Sequence, residues 1–122
     1  MKMWMMLAAL ALATTVTAAQ TPAPAAPASA PAGNADTGKK LWTSIGCYQC
    51  HNVQGQGSSA TGPRLGPKPI AWAAFNRYVR RPTNQMPPYT DKVLSDADLA
   101  HIYAFLQSLP APTPVANIPL LR

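Results

Sequence analysis

Acidic residues are scarce in this chain: Asp36, Asp91, Asp96 and Asp98 are the whole set, against ten lysines and arginines, and glutamate does not occur. The cations are scattered, with no run of five or more like charges, so the formal charge of +6 carries no nucleic-acid signature. Cysteine occurs only at positions 47 and 50. Two cysteines that close exclude a large-loop disulfide framework and make their chemistry local. No stretch of alternating β-branched residues is present, so no sheet is expected. No nucleophile–base set and no phosphate-binding glycine loop occurs, which removes hydrolase and transferase chemistry.

Proline, by contrast, is abundant, with 14 in 122 residues, and much of it lies in segments that cannot form packed core. Residues 1–19 read as an export leader: Lys2, an apolar run from Met3 to Leu12, and small residues from Val16 to Ala19, with cleavage expected after Ala18 or Ala19. The run is shorter than the ~20 residues of a spanning helix, so a membrane tether is expected only if the leader stays uncleaved. Residues 20–34 form an Ala/Pro-rich linker and residues 110–122 a Pro-rich tail. That leaves residues 35–109, about 75, for one small domain whose own core is marginal.

Three helices are legible in that domain. Gly38, Leu41, Trp42 and Ile45 share one face of a helix over 35–45, with Gly46 at its stop. A second runs over 69–80 from Pro69 with Trp72, Phe75, Tyr78 and Val79, ended by Pro82. A third runs over 95–109, opened by an S-x-x-D cap at Ser95 and Asp98 and carrying Leu99, Ile102, Phe105, Leu106 and Leu109. Residues 52–69 and 83–92 read as loops. Loops that long in so small a domain imply something other than chain packed against them.

Cys47-Tyr48-Gln49-Cys50-His51 has the C-x-x-C-H spacing of covalent c-type haem attachment. Two thiols three residues apart reach neighbouring vinyl groups of one porphyrin, and the next residue offers an imidazole to the iron. A thiol redox pair would need a βαβ context, and zinc would need two further ligands where only His101 remains among the histidines. The expected cofactor is therefore one haem c, bound through Cys47 and Cys50, whose apolar surface completes the small core. Attachment of this kind belongs outside the cytosol, which agrees with the leader and places the protein in the periplasm.

With these features assembled, residues 35–109 resemble a class I monohaem cytochrome c of the bacterial, periplasmic, His/Met-ligated kind. The likeness rests on Gly38 and Trp42, CYQCH at 47–51, Gly62-Pro63-Arg64-Leu65-Gly66, Met86-Pro87-Pro88, and Ile102 with Phe105. It implies a small all-α cytochrome c fold, about three helices and long loops wrapped around the haem, with Gly38 crossing near Ile102 and Phe105. It also implies His51 and Met86 as the iron's axial ligands, Pro63 as the carbonyl acceptor for the His51 ring N–H, and Leu65 over the porphyrin. Met86 is the one methionine outside the leader; a lone methionine is otherwise a core gap-filler. His101 is the rival ligand, though helical geometry sets it about 100° off the apolar face, towards solvent. Trp72, Tyr78, Arg80 and Tyr89 are candidates for the haem propionates, each equally readable as packing or surface.

The function implied is one-electron carriage by a protein with no catalytic residue, between a dehydrogenase or bc1-type donor and an oxidase or reductase, as a monomer or as a subunit of a heteromeric complex. One alternative is a permanently bound electron-transfer subunit of a periplasmic dehydrogenase. Another is a ligand-binding or peroxidatic haem protein with a displaceable Met86, for which no acid–base residue is evident nearby. Lys39, Lys40, Arg64, Lys68, Arg77, Arg80 and Arg81 oppose Asp91, Asp96 and Asp98 and suit a redox partner with an acidic docking patch.

Overall fold

The computed structural model describes residues 29–121; the leader assigned to residues 1–19 and most of the linker lie outside the described residues. Four α-helices follow one another, α1 (Ala35–Ser44), α2 (Tyr48–His51), α3 (Trp72–Arg80) and α4 (Asp96–Ser108), and two 3-10 turns, Val115–Asn117 and Pro119–Leu121, lie in the tail. No strand occurs among the described residues, and no helix among them is long and apolar enough to cross a membrane. The fold is all-α as expected, with one short helix more than the three read from periodicity.

Local chemistry sets the ends of α1. The Asn34 side chain accepts from the Thr37 N–H at 2.8 Å, and Asp36 lies in the first turn where it complements the helix dipole. Ile45 is the C-terminal cap, one residue beyond the helix, and Gly46 then turns left-handed at φ 89°. Gly38 and Trp42 are buried, Leu41 and Ile45 half-buried, and Lys39 and Lys40 exposed, so the face read from the sequence is the one that packs.

That face crosses α4 at backbone distance. A Cβ on Gly38 would land on the His101 carbonyl and lie 2.9 Å from the Phe105 Cβ, so the nearest neighbours are Phe105, as expected, and His101. Trp42, Leu94, Leu99, Ile102 and Leu106 are fully buried around the crossing, each apolar side chain contributing about 1.5–3 kcal/mol. Upstream of α1 the chain already packs: Ala30 lies against the core, Gly33 lies against Ala100 and Ala104, and the Asn34 N–H donates to His101 Nδ1 at 2.8 Å.

Two details of α3 depart from the sequence reading. It begins at Trp72 and not at Pro69, because the Ile70 carbonyl accepts from the Tyr103 hydroxyl at 3.0 Å and the first helical bonds go to the Ala71 carbonyl. Tyr78, read as part of its apolar face, is 40% exposed and meets Thr83 through its hydroxyl at 2.9 Å. Phe75 and Trp72 instead pack edge-on to Tyr103 of α4, with centroids 5.1 and 5.4 Å away. Arg81 precedes Pro82 and leaves helical geometry at φ −138°, as the clash with the proline ring requires.

The helix α4 opens on Ser95, whose hydroxyl accepts from the Asp98 N–H and donates to the Asp98 carboxylate. Its first residue, Asp96, accepts from Arg80 Nη2 at 2.6 Å and from Asn76 Nδ2 at 2.7 Å, both on α3. The Arg80 hydrogen bond, then the Asn76 one, hold the Asp96 carboxyl below its ordinary range. A carboxylate depressed in the fold contributes stability above its unfolded pKa and loses it as the pH falls through the folded value. The thermal midpoint is therefore expected to fall on acidification below about pH 4, with a shallower fall in Asp96→Asn; equal slopes in the two proteins would remove this role.

Candidate functional site

The short loop after α1 delivers the C-x-x-C-H segment directly beneath it. The left-handed Gly46 reverses the chain, its carbonyl accepts from the Gln49 N–H, and the Cys47 carbonyl accepts from the His51 N–H at 3.1 Å, so the segment closes into the single turn α2. The turn leaves Cys50 exposed and Cys47 half-buried, both as free thiols, while His51 is buried at 8% exposure. Burial pushes the Cys47 thiol up to about 11.

His51 is oriented by the loop that follows. Its Nδ1 lies 2.9 Å from the Pro63 carbonyl, the acceptor expected from the sequence. A carbonyl cannot donate, so Nδ1 carries the proton and Nε2 keeps its lone pair. The loop is tied down around this bond. The His51 carbonyl accepts from the Gly57 N–H at 3.0 Å, the Gly62 carbonyl accepts from the Ser58 N–H at 2.8 Å, and the Thr61 hydroxyl donates to the Cys50 carbonyl at 2.6 Å. Gly62 lies flat against the imidazole: an added Cβ would be 2.9 Å from Nδ1 and 3.0 Å from Cε1. Trp42 stands with its ring centroid 6.1 Å from that of His51, and its Nε1 donates to the Asn52 carbonyl at 3.0 Å. Asn52 takes a positive φ of 64° and holds the Gly57 carbonyl through its side-chain amide at 2.8 Å.

Thr61 and Asn52 were not legible as site residues. A polar loop has no periodicity to mark which hydroxyl or amide faces inward.

The second long loop brings Met86 to the same core. Met86, Leu65, Cys47, Trp72 and Tyr89 are all half-buried and packed against the buried cluster of Trp42, Leu94, Leu99, Ile102 and Leu106. Tyr89 is close enough to the motif that, after its own burial, proximity to Cys47 and Cys50 is what raises its phenol pKa. The other candidates lie elsewhere. His101 accepts the Asn34 N–H through Nδ1, half-buried at the linker and not simply solvent-facing. Arg80 is committed to the Tyr89 carbonyl and to Asp96, and Tyr78 to Thr83.

These residues fit a c-type haem. Two thiols project from one helical turn, an imidazole whose Nδ1 is bound to a carbonyl lies beside Trp42 and a glycine that leaves room for its ring, and a thioether stands among partly covered apolar side chains. Thiol carbon-bond formation, nitrogen ligation and thioether ligation are the chemistry this donor set offers. A family model described as cytochrome C oxidase, cbb3-type, subunit III matches residues 33–106. Comparison with curated proteins and with solved structures returned no match.

Proposed function

The chain belongs to the cytochrome c family represented by the cbb3-type subunit III model, and on that premise we propose that it is a one-electron carrier holding one haem c through Cys47 and Cys50, with His51 and Met86 as axial ligands. When bound, that group supplies a ferric–ferrous couple. The observation that carries the reading is the 2.9 Å bond from His51 Nδ1 to the Pro63 carbonyl, which fixes the tautomer that a metal-ligating imidazole needs and orients the ring.

Each remaining residue has a stated task. Cys47 and Cys50 tether the porphyrin to a turn whose carbonyls are held by Thr61 and Gly57. Met86 brings a soft sulfur that favours the reduced state and raises the potential. Leu65, Trp72 and Tyr89 cover the ring and keep water from it. Ile70 is an exposed apolar side chain at 56%, and with Arg64 and Lys68 nearby in sequence it suits brief docking to an acidic redox partner. The leader pattern and the compartment of c-type haem attachment support a periplasmic site of action.

The family description favours a second reading, in which the same carrier works as a bound subunit of an oxidoreductase complex. Co-purification of a stoichiometric partner from the native membrane fraction separates it from a free shuttle.

Visible spectra of the chain expressed where c-type haem is matured test the ligation. The expected result is a low-spin spectrum in both oxidation states, a weak iron–thioether charge-transfer band in the oxidised protein, and haem that stays on the denatured chain. A high-spin oxidised spectrum, or haem lost on denaturation, would overturn the assignment.

A further inference from the structure

The loop that carries Met86 is held from α3 on both sides. Before Met86, the Tyr78 hydroxyl meets the Thr83 hydroxyl at 2.9 Å. After it, the Tyr89 N–H donates to the Val79 carbonyl at 3.1 Å, and Arg80 Nη1 donates to the Tyr89 carbonyl at 2.9 Å. The other arm of the same guanidinium, Nη2, lies 2.6 Å from Asp96 at the first residue of α4. One side chain thus joins loop, α3 and α4, and it is mostly covered, at 18% exposure against 68% for Asp96. As an ion pair at the surface the contact is worth little. Its position gives it a different consequence.

Only Pro87 and Pro88 separate Met86 from Tyr89. Each proline fixes its own φ, and each residue that precedes a proline, here Met86 and Pro87, is confined to extended ψ. The segment has little freedom of its own, so a displacement of the Tyr89 carbonyl is carried to Met86 and not absorbed between them. We propose that Arg80 is a positioning residue for Met86: by holding the Tyr89 carbonyl with one arm and Asp96 with the other, it sets how much of the time the thioether stands at the ligand position. The role rests on Met86 being an axial ligand, and it replaces the propionate contact considered for Arg80 from sequence. Arg80 acts through the backbone of Tyr89. When that anchor weakens, Met86 spends more time away, and the apparent affinity for a competing small ligand rises with the open fraction.

The test uses the haem-loaded full chain with carbon monoxide as the probe. Arg80→Leu removes both bonds and adds no donor that could ligate. It is expected to bind carbon monoxide in the reduced state about tenfold faster than the parent and to show a weaker iron–thioether band when oxidised. Arg80→Lys keeps one charged donor and is expected to fall between the two, which provides a reading if Arg80→Leu does not fold. Asn34→Ala, which loses the α1 cap far from the loop, is expected to lower stability while leaving carbon monoxide binding and the band unchanged. Arg80 variants that lose stability yet keep the parental band and binding rate would overturn the positioning role. Met86→Ala separates the two levels. Loss of the band there, with the band intact in both Arg80 variants, sinks positioning alone; a parental band in Met86→Ala sinks the ligand assignment and positioning with it.

Discussion

Gly38→Val is expected to leave no folded haem protein, and Gly38→Ala to unfold at a markedly lower temperature than the parent. The reason is what the new Cβ meets. At Gly38 it would fall on the His101 carbonyl, a backbone atom that cannot rotate aside, with the Phe105 Cβ 2.9 Å away. Relief requires α1 and α4 to separate, and separation withdraws Trp42, Ile102 and Phe105 from one another, side chains that are now 2%, 1% and 5% exposed. Overpacking in a close-packed core costs about 1–3 kcal/mol, and a domain this small has only about 5 kcal/mol in hand, so the alanine is a serious loss and the valine a fatal one. Thermal unfolding followed by far-ultraviolet circular dichroism reads the effect. Lys40→Ala on the exposed face of the same helix is the comparison, expected to unfold within a degree or two of the parent. A Gly38→Ala protein as stable as Lys40→Ala would mean that the helices do not cross at backbone distance.

Met86→Ala is expected to change the chemistry while sparing the fold. Met86 is only half-buried at the edge of the buried cluster and sits in a loop anchored on both sides by other residues, so truncation removes one contact with the core and leaves the α1–α4 crossing in place. With the thioether gone, the reduction potential of the haem-loaded protein is expected to fall by on the order of 100 mV, a modest part of the roughly 0.8 V that axial ligation spans. The reduced protein is expected to bind carbon monoxide readily where the parent does so slowly. Potentiometric titration of parent and variant side by side measures the first, and rapid mixing the second. An unchanged potential would identify Met86 as a packing residue and reopen the search for the sixth ligand. His101 is poorly placed for it, since its Nδ1 accepts the Asn34 N–H ahead of α1 and its backbone lies against Gly38 in the α1–α4 crossing.

The two substitutions bear on different parts of the molecule, and the division follows the way sequence encodes each. Gly38 and Trp42 were visible because a helix buries one stripe, and a glycine on that stripe marks a close approach. The short α2 was not visible, because four residues hold no full period and its turn is closed by the carbonyls of Gly46 and Cys47 that precede it. The early start assigned to α3 failed for a similar reason. Pro69 is a permitted first residue of a helix, but the Tyr103 hydroxyl, more than thirty residues away, claims the Ile70 carbonyl and keeps the chain extended until Ala71. Arg80 belongs with these: as a residue type it suited a propionate, and only the meeting of α3, α4 and the Met86 loop shows both of its arms in use.

The sequence by itself determined the chemistry of this protein and its helical class. C-x-x-C-H puts the two thiols and the imidazole of the proposed haem site in five consecutive residues, and the helices announce themselves by which residues they bury. Such information is local, carried by spacing along one strand of chain. Only the tertiary structure decided how the site is held: which carbonyl orients His51, which glycine makes room for its ring, which hydroxyl secures Cys50, and which cation steadies the loop of Met86. Those contacts join residues remote in sequence across loops with no repeating pattern, and a hydrogen bond between two such loops is fixed by their packing and leaves no periodic trace in either.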